Sequence, residues 1–235
     1  MRGRIRFPGN PWPDGHPIAA FTLSAALDPR LGVGLLLDLK SEAYDAEGPG
    51  VDDDSGADWT SPDVWRNFHA ATLSNTHWGY ENDQLARLDQ PPFRRFAPKD
   101  LTGRTFALDP VDALPPDWSP GDQPFQVYLL GHDAVAEHHI AITQGSAPGL
   151  FDIAWRGRIA LFYVGEEDFR HRFAAEIHDV PFSHIELDTA PEIAVPRREA
   201  SARALLKKFV AAPDAWRFVA GTSQGDKDRF VPARA

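Results

Sequence analysis

The sequence predicts an α+β protein whose main element is a twisted antiparallel β-sheet, made of an N-terminal hairpin and a later meander, with two or three packed helices. Apolar and polar residues alternate over Phe21 to Leu39 and again within Pro124 to Leu187, and a period of two is typical of half-buried strands. An apolar stripe at helical spacing follows at Arg197 to Ala211. Hydrophobic residues make up 43% of the chain, enough for a core that needs no disulfide.

The N-terminal hairpin is predicted by two alternating runs and the turn between them. Residues 21–27 and 33–39 each collect apolar side chains on one face, as a half-buried strand does. Asp28 to Gly32 joins the two runs. Pro29 presets φ at the first turn position, and Gly32 accepts the positive φ that ends such a loop.

Helix signals appear after the hairpin. Ser61-Pro62-Asp63 predicts a helix that ends near residues 74–75. Serine caps free amides, proline suits the first helical position, and aspartate favours the positive end of the helix dipole. Residues 82–88 predict a second, short helix, and Thr105 to Leu108 predict a strand.

The meander is the clearest pattern in the sequence. Short turns between neighbouring runs predict that each strand pairs antiparallel with the next. A turn is predicted at Arg156-Gly157, and the run after it is apolar on both faces, which favours a central strand. The predicted strands cover residues 125–130, 135–143, 150–155, 158–164, 169–177 and 182–187.

The domain organisation follows from these elements. We expect a single α+β domain over residues 1–220. A composition shift near residues 115–124 is a candidate subdomain boundary, and residues 221–235 are polar and predict a flexible C-terminal tail.

Composition and charge exclude several function classes. The chain has no cysteine, so disulfides, thiolate metal sites and a cysteine nucleophile are excluded. A net charge of −10 disfavours nucleic-acid binding, because a negatively charged protein and a phosphate backbone repel each other. No apolar run has the length of a signal or a membrane span, so we expect a cytoplasmic protein. Glycine-rich phosphate loops and compact metal motifs are absent, and no cofactor is predicted.

The leading hypothesis is a non-enzymatic, acidic, protein-binding domain that recognises a basic protein, for example an immunity protein that neutralises a toxin. Aromatic side chains next to acidic ones are typical of protein interfaces. Carboxylates are also ligands for Ca²⁺, but their spacing here differs from that of an EF-hand, which favours a solvated loop. The candidate binding residues are Asp52, Asp53, Asp54, Asp58, Trp59 and Trp118.

Two alternatives remain open at the level of sequence. Histidines concentrate in the meander, and His139 shares a strand face with Glu137. Together with His171 they are the candidate metal ligands of a histidine- and carboxylate-dependent hydrolase, which also has His138 and Glu176 as candidates. The second alternative is a carbohydrate or small-ligand binding module that uses tryptophans for stacking.

Overall fold

The computed structural model describes residues 2–46, 48, 50, 59–75, 86–89, 95–187, 192–222 and 226–233. Within these ranges the chain forms one eleven-stranded, mostly antiparallel sheet and two α-helices. The strands are β1 (Arg2–Arg6), β2 (His16–Asp28), β3 (Gly32–Ser41), β4 (Thr72–Asn75), β5 (Arg104–Leu108), β6 (Phe125–Tyr128), β7 (His132–Gln144), β8 (Leu150–Ala160), β9 (His171–Leu187), β10 (Trp216–Val219) and β11 (Asp228–Pro232). The helices are α1 (Pro62–Arg66) and α2 (Val195–Phe209).

The sheet closes on itself. Strands β2, β3, β4, β6, β7, β8 and β9 pair in that order, each antiparallel to the next. Strand β9 then pairs in parallel with β2, where Leu23 lies opposite Phe182 and Ala25 opposite Ile185. Strand β1 adds to β2 and β9, β5 adds to β7, and the β11–β10 pair adds to the far end of β9.

The apolar faces of the closed sheet form the core. Leu23 on β2, Leu37 on β3, Phe125 on β6 and Trp155 on β8 are each at most 1% exposed and belong to one contiguous cluster. The alternation that predicted the strands therefore also predicted which face is buried. The sheet-dominated class is confirmed, and the prediction of two or three packed helices is partly matched, since α1 has only five residues.

The N-terminal hairpin, the strand at Thr105–Leu108 and the C-terminal helix are confirmed. In the hairpin turn, Asp28 Oδ1 accepts the backbone N–H groups of Arg30 and Leu31 at 2.7 and 2.9 Å. Gly32 closes the turn at φ +87°, as the sequence predicted.

The helix predicted to run from Ser61 to residues 74–75 is wrong beyond its first turn. Helix α1 ends at Arg66, and residues 72–75 form β4, which bridges β3 and β6. The backbone N–H of Tyr44 donates to the carbonyl of His69, and that of Ser41 donates to the carbonyl of Ala71. Residues 69–71 therefore lie alongside the end of β3. Residues 72–75 form a strand despite the local helix signals, because pairing with β3 and β6 completes the closed sheet. Of the short helix predicted over 82–88, residues 86–88 are described and are extended beside β3.

The turn predicted at Arg156-Gly157 is also wrong, because β8 runs through it without interruption. Gly157 faces the core, where a Cβ would lie 2.6 Å from Cε1 of Phe173. The glycine is needed for close packing of an aromatic ring and not for a turn. Residues 162–164 form a short 3₁₀ turn after β8, and the two last predicted strands are one continuous strand, β9.

Residues 228–232 form a strand, in contrast to the flexible tail predicted over 221–235. Strand β11 pairs with β9 and β10, and Asp228 at its start is fully buried. Its Oδ1 accepts from Arg198 Nη1 and from the backbone N–H of Gly221, both at 2.8 Å. This ion pair joins α2 to the sheet.

We expect Asp228→Asn to destabilise the protein by about 3 kcal/mol, because it removes the negative charge that pairs with the buried guanidinium of Arg198 at 2.8 Å. Urea unfolding followed by tryptophan fluorescence measures the change. Glu199→Ala is the matched control on the same helix, since its half-exposed pair with Arg203 is worth at most about 1 kcal/mol. Equal midpoints for the two variants would contradict the assigned role of the buried pair.

Candidate functional site

The predicted tryptophan anchors have packing roles. Trp59 is 5% exposed, its Nε1 donates to the carbonyl of Pro8 at 3.0 Å, and its ring stacks on His171 at a centroid distance of 4.0 Å. Trp118 is half-buried against Phe162 and Phe169. Both rings hold loops on the protein, and Trp59 leaves little surface for stacking a ligand. The described residues do not include the other predicted binding residues, Asp52, Asp53, Asp54 and Asp58.

The candidate metal ligands divide between two places. Glu137 and His139 line one groove on the outer face of β7 and β8. His171 instead lies 3.7 Å from Glu166 Oε2 and stacks on Trp59. In the described part of the chain, no group of three histidine or carboxylate side chains has the geometry to hold a metal ion.

His138 lies in the core and belongs to a buried chain of polar groups. Trp155 Nε1 donates to His138 Nδ1 at 3.0 Å, and His138 Nε2 faces Asp109 Oδ2 at 3.5 Å. An indole N–H only donates, so Nδ1 accepts and the ring proton of the neutral imidazole sits on Nε2, toward the carboxyl group. A nucleophile would have to take the place of the Trp155 indole, so this histidine is structural.

Burial shifts the pKa values of both groups toward their neutral forms. Desolvation lowers the pKa of His138 to about 3, and it raises the pKa of Asp109 to about 8. Asp109 is held in place by two hydrogen bonds. Its side-chain Oδ1 accepts the backbone N–H of His138, and its backbone carbonyl accepts the backbone N–H of Glu137. Asp109 and Glu137 both have positive φ, at 44° and 56°.

An exposed cluster of apolar side chains lies where β6, β7, α1 and the 162–164 turn meet. We define the aromatic patch as Phe68, Tyr128, Tyr163 and Val164. The Phe68 ring makes edge contacts with Tyr128 and Tyr163 at centroid distances of 6.2 and 6.0 Å. Tyr163 is 63% exposed and Val164 is 44% exposed. Exposed apolar clusters of this kind mark binding surfaces.

A pocket of about 320 Å³ opens inside the aromatic patch. Leu130 and Leu161 form part of its apolar lining, and the carboxyl group of Asp133 lies among them. Asp133 is 3% exposed and accepts the backbone N–H of Leu130 at 2.9 Å. Burial raises the pKa of Asp133 above its ordinary value. The pocket thus combines apolar walls with one carboxyl group that favours a hydrogen-bond donor or a cation.

Three acidic residues are close in the chain to residues that line the pocket. Asp63 precedes Val64 of the pocket lining, and Glu167 and Asp168 lie within four residues of Val164. All three are exposed. Asp63 pairs with Arg66 at 3.2 Å, whereas Glu167 and Asp168 form no ion pair with any residue that the structure describes.

A second polar groove lies on the outer face of β2, β3 and β9. Burial raises the pKa of Asp38 there and lowers the pKa of Lys227 to about 8. Lys227 Nζ lies 2.9 Å from Glu186 Oε1, and His184 Nε2 lies 3.9 Å from Glu186 Oε2. Lys227, Glu186 and His184 therefore interact with one another, whereas Asp38 forms no ion pair with a described residue.

Comparison of the chain with protein-family models, with curated proteins and with solved structures finds no match. No helix in the described ranges is both long and apolar enough to span a membrane. Function is therefore argued from the surfaces of this molecule alone.

The buried Asp109–His138 pair predicts a pH dependence of stability. The folded-state pKa of Asp109, about 8, lies above its ordinary value, so the stability from its neutral form is lost as pH rises toward 8. The lowered pKa of His138 acts oppositely, and its contribution is lost as pH falls below 6.5 toward 3. Between pH 6.5 and 8 only the Asp109 effect remains, and it lowers the free energy of unfolding by up to about 1.4 kcal/mol per pH unit.

Asp109→Asn should remove this alkaline decline, because an amide does not ionise and asparagine tolerates the positive φ of 44°. Urea unfolding at pH 6.5, 7.2 and 8.0 measures the slope. Asp112→Asn, at an exposed neighbouring position, is the control and should keep the wild-type slope. A slope unchanged by Asp109→Asn would show that the carboxyl group is already ionised at neutral pH.

Proposed function

We propose that this protein is a binding protein for a basic protein partner, which it recognises through the aromatic patch. The observation that carries the proposal is the pocket within the patch, where exposed aromatic rings surround a buried carboxyl group. Protein interfaces are enriched in tyrosine and phenylalanine, and their strongest contacts fill pockets of this kind. An immunity protein that neutralises a basic toxin is one concrete form of this function.

The chemistry of the pocket supports a lysine or arginine side chain as the inserted group. Such a side chain lays its methylene stem on apolar walls and carries its charge at the tip. Here the stem would contact Phe68 and Leu161, and the tip would approach Asp133. A cation there would also favour the ionised form of Asp133, whose pKa burial raises in the free protein.

The charge around the patch supports attraction of a basic surface over a longer range. Glu167 and Asp168 are exposed and follow Val164 of the pocket lining in the chain, and the whole chain carries a net charge of −10. Complementary charge raises the rate of association and makes it sensitive to salt, while the apolar contacts at the centre slow dissociation. The acidic residues thus account for long-range attraction of the partner, and the pocket accounts for specific contact with it.

We expect Tyr163→Ala to weaken partner binding by about 30-fold, equivalent to about 2 kcal/mol, because it removes the most exposed ring of the patch. Tagged wild-type and variant proteins are used to capture partners from the native host at low salt. The basic protein that is enriched with wild type is then purified, and its affinity is measured by isothermal titration calorimetry.

Val195→Ala is the control for loss of an exposed apolar side chain, since Val195 is 43% exposed on α2, outside the patch. It should bind like wild type. Recovery of no basic protein at low salt would refute the proposal, as would a purified partner that binds Tyr163→Ala and wild type equally well.

A further inference from the structure

We infer that the outer face of β7, β8 and β9 carries a binding site for a small phosphorylated molecule. A groove of about 350 Å³ lies there and shares no residue with the aromatic patch. We call it the arginine groove. Its chemistry is set by Glu137, His139, Arg156, Arg158, Arg172 and Phe173.

Strand register brings the three arginines together. Arg158 on β8 lies directly opposite Arg172 on β9. Arg156 precedes Arg158 by two residues and therefore points to the same side of the sheet, where it lies opposite His139 on β7. Like charges directly opposite each other destabilise an antiparallel pair. An arrangement that costs stability and gathers cations at one groove is typical of an anion site.

The charges of the groove do not balance. Arg158 Nη1 lies 3.4 Å from Glu137 Oε2, which neutralises one arginine. Arg156 and Arg172 make no hydrogen bond or ion pair with any described residue. The Nε–H of Arg158 is buried and lacks an acceptor within the same ranges, which a ligand oxygen would supply. The groove thus keeps two uncompensated positive charges on a protein of net charge −10.

Two positive charges match the charge of a phosphate monoester, about −1.5 to −2 at neutral pH. The planar guanidinium fork pairs with phosphate oxygens through two parallel hydrogen bonds. A groove of this volume suits a small ligand. A long polyanion would meet the negative charge of the rest of the protein, so nucleic acid is disfavoured.

Isothermal titration calorimetry at low ionic strength tests the site with three probes: phenyl phosphate, inorganic phosphate and benzoate. We expect phenyl phosphate to bind in a 1:1 ratio, and to bind at least about tenfold more tightly than benzoate, which carries a single charge. Arg156→Gln and Arg172→Gln should each weaken phenyl phosphate binding at least about tenfold. Inorganic phosphate, which offers the same oxygens without an organic group, should also bind, and Arg156→Gln and Arg172→Gln should weaken its binding as well.

Arg217→Gln, at an exposed position on β10, is the matched control and should bind phenyl phosphate like wild type. Arg156 and Arg172 are exposed, so their variants should keep the wild-type melting temperature, and each tests the site independently of the other. Absence of binding heat with millimolar phenyl phosphate would overturn the proposal. Equal weakening by Arg217→Gln would overturn it too, and benzoate binding as tight as that of phenyl phosphate would refute the preference for a dianion.

Discussion

The closed sheet depends on the pairing of strand β9 with β8 on one side and β2 on the other. The strand spans 17 residues, and its first part pairs with β1 and β8 while its last part pairs with β2 and β11. A register shift puts Phe182 opposite Leu23 and Ile185 opposite Ala25, so both β9 side chains face the core although they are three residues apart. Without this pairing the sheet would be open, and the apolar faces of β2 and β9 would lack their partners.

A second irregularity, in β7, links the core to the outer surface. Ala136 lies opposite Arg158 and His139 opposite Arg156, so two residues of β7, 137 and 138, lie opposite one residue of β8, Gly157. The bulge turns His138 inward to the Trp155 indole and leaves Glu137 and His139 at the arginine groove. Asp109 holds the bulge by accepting two backbone N–H groups. Core packing and surface chemistry are therefore coupled through one short stretch of strand.

Net charge describes this molecule poorly at the scale of a binding site. The chain carries −10 overall, yet β8 and β9 place Arg156 and Arg172 at one groove without acidic partners among the described residues. The exposed carboxylates of Glu167 and Asp168 follow the average charge, whereas the arginine groove opposes it. A local field is set by the nearest charges, because screening in salt limits each charge to about 8–10 Å. Both surfaces can therefore act on one small protein.

Several elements could be predicted from the sequence because their causes are local. Alternation identified β2 and β3, the residue chemistry of Asp28 to Gly32 identified their turn, and the helical spacing of apolar residues identified α2. The same reasoning failed at Gly157, where glycine allows close packing of Phe173 and does not form a turn. It also failed at residues 72–75, which form strand β4 and not the end of a helix. The aromatic patch could not be predicted from the sequence, because the pattern places Phe68 in a helix and Tyr163 in a strand and gives no sign that the two rings meet.

The sequence by itself determined the sheet-dominated class, the core faces of most strands and the absence of thiol chemistry. Only the tertiary structure decided which strands are neighbours, that His138 is buried, and that Arg158 and Arg172 lie side by side. Periodicity and turn chemistry act over a few residues, so they can be seen in the chain. The pairing of β9 with β2 joins segments more than 150 residues apart, and its register is set by closure of the whole sheet.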